Sequence, residues 1–201
     1  VGKSNPNDGS TTESACVACD LGKHQDSSGS QDCKMCPKGT FGDVENLANC
    51  KVCTSGKIST ETQQHSCALC PAGRFLKHGS SAGASAHDAD SDCKACPTGW
   101  STADRTGQQL CAGCDPGFYQ DDATGGTTSC KPCDPGRFSD KARATTEDTC
   151  EECAAGKFNA EQARTSCTDC EQGKFNADQG SQDAGACKNC GGGQIVMTNS
   201  N

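Results

Sequence analysis

The sequence predicts a small disulfide-rich fold: an elongated tandem-repeat rod of about ten short hairpin or turn units, with little regular secondary structure and no large core. Three observations carry this expectation. Of 201 residues 20 are cysteine, only 32% are hydrophobic on a count that includes those cysteines, and the cysteines recur with one spacing along the chain.

Cysteine at about a tenth of a chain marks a disulfide scaffold made in an oxidising, extracellular compartment. One Trp, one Tyr and six Phe are too few to bury a conventional core, so cross-links must do most of the stabilising. Closing a loop of about 15 residues contributes roughly 3 kcal/mol through the unfolded state. The net charge of −8 and pI near 4.9 disfavour nucleic acid and anionic membranes as partners, because both reward clustered Lys and Arg. No stretch reaches the length of a membrane span. The chain starts at Val1 without a signal-like segment, which suggests a processed mature form.

Every cysteine belongs to one of ten C-x-x-C pairs: Cys16/Cys19, Cys33/Cys36, Cys50/Cys53, Cys67/Cys70, Cys93/Cys96, Cys111/Cys114, Cys130/Cys133, Cys150/Cys153, Cys167/Cys170 and Cys187/Cys190. Between pairs lie 13, 13, 13, 22, 14, 15, 16, 13 and 16 residues, a short period broken by one insertion. This gives a polar leader (1–15), ten repeats (16–190, insertion at 76–92) and a tail (191–201) able to form a short strand. Three residues after each pair stands a glycine: Gly22, Gly39, Gly56, Gly73, Gly99, Gly117, Gly136, Gly156, Gly173 and Gly193. A glycine held in register implies a tight turn with positive φ. Gly136→Val is therefore expected to be far more damaging than Gly125→Val, which lies outside the slot. Two residues beyond the glycine come Phe41, Ile58, Phe75, Tyr119, Phe138, Phe158, Phe175 and Ile195, while Trp100 and Phe118 stand one residue beyond. These rings are expected to cover cystines or pack on the next unit. The intervening segments read as polar loops, with one helical turn conceivable in Asn159 to Thr165.

The unit C-x-x-C-P-x-G-[T/R/K]-F, as in "CKMCPKGTF" and "CALCPAGRF", resembles the ephrin-receptor-like cysteine-rich repeat, a relative of EGF-like and tumour-necrosis-factor-receptor modules. The resemblance implies an extracellular, elongated, short-strand architecture and brings no catalytic residue with it. Long arrays of such units are also similar in style to protist surface coat antigens.

Rival chemistries fit less well. Two C-x-x-C pairs 13 to 16 residues apart approach a zinc-ribbon spacing, but the acidic charge, the missing basic surface and a P-x-G-x-F continuation that the family resemblance places outside cells count against zinc. A thioredoxin-type pair needs a βαβ scaffold that is not legible here. His24, His65, His78 and His87 stand in no nucleophile or metal motif. Asp88, Asp90 and Asp92 alternate as calcium ligands can, without the glycine and glutamate of an EF-hand. No cofactor, metal or enzymatic activity is expected.

Spacing constrains the disulfide connectivity without fixing it. Crossed modules, with Cys16 bonded to Cys33 and Cys19 to Cys36, remain one arrangement. The near-uniform loops favour a ladder in which the second cysteine of each pair bonds the first of the next, from Cys19–Cys33 to Cys170–Cys187. That leaves Cys16 and Cys190 for an intermolecular bond and head-to-tail self-association. The expected function is a subunit of a surface coat, sheath or extracellular filament. The alternative is a receptor ectodomain or adhesin for a protein or glycan ligand, with Trp100, Phe118 and Tyr119 as the candidate patch.

Overall fold

The computed structural model describes residues 1–7, 9–78 and 83–191. Within them the chain forms ten antiparallel hairpins of two-residue strands. Hairpins 1 to 5 pair Lys3–Ser4 with Val17–Ala18, Lys23–His24 with Lys34–Met35, Thr40–Phe41 with Lys51–Val52, Lys57–Ile58 with Ala68–Leu69 and Arg74–Phe75 with Lys94–Ala95. Hairpins 6 to 10 pair Trp100–Ser101 with Ala112–Gly113, Phe118–Tyr119 with Lys131–Pro132, Arg137–Phe138 with Glu151–Glu152, Lys157–Phe158 with Thr168–Asp169 and Lys174–Phe175 with Lys188–Asn189. The residues describe two compact units, one of 1–95 with 104–111 and one of 96–103 with 112–201.

The folding unit is out of phase with the sequence repeat. A hairpin begins at a glycine and closes on the two residues inside the next C-x-x-C pair. Hairpin 1 therefore lies partly in the segment 1–15, and Gly2, with φ 75°, takes the same place as the slot glycines from Gly22 to Gly173, which all have φ between 74° and 87°. Gly193 lies outside the described residues. Gly125 also has φ 83°, so positive φ alone does not separate the slot from the loops. Among the described residues helix is confined to single 3₁₀ turns such as Glu13–Ala15, Asp90–Asp92 and Glu147–Thr149. The segment 159–165 is a loop without a helical turn; Ala163 takes φ 59°, where a right-handed helix cannot continue.

Two backbone contacts stack one hairpin on another. The slot glycine N–H donates to the carbonyl three residues past the next glycine, as Gly22 does to Gly42, Gly39 to Ser59 and Gly136 to Asn159, each at 2.8 Å. A loop residue two hairpins on donates to the carbonyl of the second cysteine: Asn46 to Cys19 at 2.9 Å, Gln63 to Cys36 at 2.8 Å, Arg143 to Cys114 at 2.7 Å and Ala163 to Cys133 at 2.9 Å. A Cβ on the slot glycine would strike the carbonyl of that same loop residue, 2.2 Å away at Gly2 and Gly22 and 2.5 Å at Gly99. Glycine is therefore required by the neighbouring layer as well as by the turn.

What fills the layers is mostly sulfur and polar side chains. The second cysteines from Cys19 to Cys153 are buried, and the position three past the slot glycine holds buried Gln25, Ser59, Thr102, Gln120, Ser139, Asn159 and Asn176. These side chains bond their own loops or the adjacent strand. Asn159 Nδ2 donates to Arg137 O at 2.6 Å and its Oδ1 accepts from Glu161 N at 3.2 Å. Asn176 Nδ2 donates to Lys157 O at 3.0 Å. A buried amide paired in this way specifies the stack without the desolvation cost of an unpaired one.

Candidate functional site: the cystine ladder and its ends

The functional features follow from where the turns place the sulfurs. Each C-x-x-C pair straddles the second strand of a hairpin, so its two side chains reach in opposite directions along the stack. The first reaches the preceding layer and the second the following one. The bonds are Cys19–Cys33, Cys36–Cys50, Cys53–Cys67 and Cys70–Cys93 in one unit, and Cys114–Cys130, Cys133–Cys150, Cys153–Cys167 and Cys170–Cys187 in the other. Cys96 and Cys111 are also disulfide-bonded. Cα separations of 5.6 to 5.9 Å suit cystines. Cys16, exposed, and Cys190, half-buried, are free.

The residue two past the slot glycine sits on the cystine leaving its hairpin. Ile58 clusters with Cys70, Leu76 and Cys93, and Tyr119 with Cys133, Ala144 and Cys150. Where that residue is polar it faces sulfur directly: Ser4 Oγ lies 3.4 Å from Cys33 Sγ, Ser101 Oγ 3.4 Å from Cys130 Sγ and His24 Nδ1 3.1 Å from Cys50 Sγ. His24, Cys36 and Cys50 are close enough to hold a metal ion, but the two sulfurs are bonded to each other and are not thiolate ligands. Asp92 accepts from Ala89 N at 3.0 Å at the start of a 3₁₀ turn, so this carboxylate is engaged in local structure.

Trp100, Phe118 and Tyr119 do not form one exposed aromatic patch. Tyr119 is buried, and burial together with the Glu147 carboxylate pushes its hydroxyl above the ordinary range. The Arg143 guanidinium lies over the Trp100 ring at 4.6 Å, which satisfies that face by a cation–π contact. Phe118 is half-buried beside an open groove of about 250 Å³ lined by Ser101, Ala112, Gly113 and Cys130. The larger apolar feature is a row on hairpins 2, 3 and 4, where Met35, Val52 and Leu69 occupy equivalent positions and are 57%, 40% and 52% exposed.

Charge is arranged locally. The carboxylate four past the slot glycine pairs with the lysine opening the second strand: Asp26 with Lys34 at 2.6 Å, Asp43 with Lys51 at 2.8 Å and Asp121 with Lys131 at 2.7 Å. Each lysine lowers its partner's pKa below the ordinary carboxylate value. Exposed pairs of this kind are screened by solvent and contribute little to stability. Asp122 is held further down, to about 2, by the Thr124 hydroxyl and by the N–H groups of Thr124 and Thr127.

The family described as tyrosine-protein kinase ephrin type A/B receptor-like matches residues 9–46 and 102–150. These two segments are similar to ephrin-receptor-like cysteine-rich repeats, a receptor-like class of repeat and not an enzyme class, and the tandem disulfides are consistent with that likeness. Together with the disulfides, this points to an extracellular or surface location. No curated protein matches the sequence. No helix among the described residues is long and apolar enough to cross a membrane.

Proposed function

We propose that this chain is a structural protein of an extracellular or cell-surface layer, a subunit of a coat, sheath or filament with no catalytic role. The observation that supports the reading most directly is the pair of free cysteines at the open positions of the ladder, Cys16 before the first rung and Cys190 after the last. A bond from Cys190 of one copy to Cys16 of another continues the ladder, and a non-closing head-to-tail contact builds a filament. Native material run without reductant should show multimers that collapse to monomer on reduction, with a cross-linked peptide holding Cys16 and Cys190. Quantitative alkylation of both cysteines in native monomers would refute it.

A receptor ectodomain or adhesin is the second reading. It is favoured by the family match and by the exposed Met35, Val52 and Leu69 row. A protein or glycan ligand whose binding is abolished by Val52→Asp, with the disulfides intact, would favour it over the coat subunit.

A further inference from the structure

Hairpin 2 differs from its neighbours at the residue that faces the cystine. Its strand Lys23–His24 presents an imidazole where hairpin 3 has Phe41 and hairpin 4 has Ile58. The ligating nitrogen of His24 and both sulfurs of Cys36–Cys50 lie within 4.8 Å of one another, and Nδ1 is 3.1 Å from Cys50 Sγ. A cystine sulfur carries no proton, so the ring N–H donates. The serines at this slot, Ser4 and Ser101, can also donate to sulfur, but imidazole alone among these side chains is a general acid that can give up its ring proton. The cations around the ring are already paired. Lys34, opposite His24 across the hairpin, is held by Asp26 at 2.6 Å, and Lys51, next to Cys50, by Asp43 at 2.8 Å.

We infer that Cys36–Cys50 is a redox modification site, opened by a dithiol reductant more readily than its sister rung Cys53–Cys67, with His24 as the proton donor. Cys36 is fully buried and Cys50 half-buried, so the reductant's thiolate attacks Cys50 Sγ. A sulfur–sulfur bond forms to the reductant as the Cys36–Cys50 bond breaks. The electron pair goes to Cys36 Sγ, which takes the proton of the reductant's second thiol. The reductant's second sulfur, now a thiolate, attacks the mixed disulfide and closes the reductant into its own disulfide, and the departing Cys50 sulfur takes its proton from His24, whose Nδ1 lies 3.1 Å away. The dithiol is oxidised by two electrons and the cystine is reduced to two thiols. Opening this rung frees the link between hairpins 2 and 3 while the adjacent rungs persist.

Cys53–Cys67 supplies an internal control. Both bonds close a separation of 14 residues, and both join a buried cysteine to a half-buried one. They differ in carrying His24 or Phe41. The oxidised protein is treated with limiting dithiothreitol at neutral pH, quenched by alkylation and mapped by mass spectrometry. Cys36–Cys50 should open at least about fivefold faster than Cys53–Cys67, the ratio expected of a single hydrogen bond to the reacting sulfur. His24→Phe places in hairpin 2 the residue that hairpin 3 already uses and should equalise the two rates, with the other bonds mapping as before. His24→Asn keeps an N–H donor but no transferable proton and should recover only part of the difference. Equal rates in the unsubstituted protein, which needs no variant to fold, would overturn the inference, as would an excess that survives His24→Phe.

Discussion

The layer contact makes a quantitative demand on one atom. Gly136 has φ 82°, and a Cβ there would stand 2.2 Å from the Gly180 carbonyl oxygen and 2.9 Å from its carbon. Gly29 has nearly the same backbone, φ 77°, and its Cβ would meet nothing within 4 Å. Gly29→Ala should therefore cost only the left-handed strain of an L residue, roughly 1–2 kcal/mol. Gly136→Ala carries the same strain and must also push the next layers away. At risk are the bonds from Gly136 N to Asn159 O and from Gly180 N to Cys153 O, both 2.8 Å. Two hydrogen bonds at about 1 kcal/mol each bring the total to roughly 3–4 kcal/mol. The assay is denaturant unfolding of the oxidised proteins, with amide exchange at Gly180 as the local readout. Gly136→Ala should lose about twice as much stability as Gly29→Ala and should speed exchange at Gly180 selectively. Equal losses with unchanged exchange at Gly180 would show that the glycine serves its own turn and not the stack.

Ala163 holds φ 59° and its carbonyl lies 2.3 Å from the Cβ position of Gly117; Ala163→Gly should stabilise by up to about 1 kcal/mol, seen as a rise in melting temperature. Asp122, at about 2 in the folded chain against an ordinary 3.8, has a depressed folded pKa. Its contribution is therefore complete above the ordinary value and is lost as pH falls through about 2; carboxyl NMR should place the midpoint there, and Thr124→Ala should move it upward. Dithiothreitol in excess should unfold the oxidised chain while a chelator leaves it unchanged by circular dichroism, because cystines rather than an ion hold the layers.

Cysteine and glycine were the most legible residues because each serves few purposes. A C-x-x-C repeated without exception marks a stapled unit, and a glycine fixed three residues behind it marks a turn. The phase of the unit was harder to read. Counting from the cysteines places Lys3–Ser4 in a leader, whereas counting from glycine makes Gly2, Lys3 and Ser4 the start of hairpin 1. The signal was present in "GKS", which parallels "GKH" and "GKI" at Gly22 and Gly56. The buried polar position was also readable, since Gln25, Ser59, Gln120, Ser139, Asn159 and Asn176 all stand three past a glycine. Polar residues in a polar chain gave no reason to count them as interior. The loop residues in left-handed conformation, Asn46, Gln63, Arg143 and Ala163, each stand ten residues after the second cysteine of a pair, but Asn, Gln, Arg and Ala share no side-chain feature that marks a positive φ, so the position was not legible. Tyr119 was readable as a cystine cover from its slot, and its burial follows from that. The stacking of Arg143 on Trp100 joins residues far apart in sequence and has no local signature.

The pairing of the sulfurs underlies both the stack and the open ends, and non-reducing peptide mapping of native protein tests it most directly. The account requires Cys19–Cys33, Cys36–Cys50, Cys53–Cys67 and the corresponding rungs onward to Cys170–Cys187, with Cys16 and Cys190 absent from every bond within one chain. Recovery of Cys16–Cys33 together with Cys19–Cys36 would replace the ladder by crossed modules, fill both open positions and remove the basis for head-to-tail assembly.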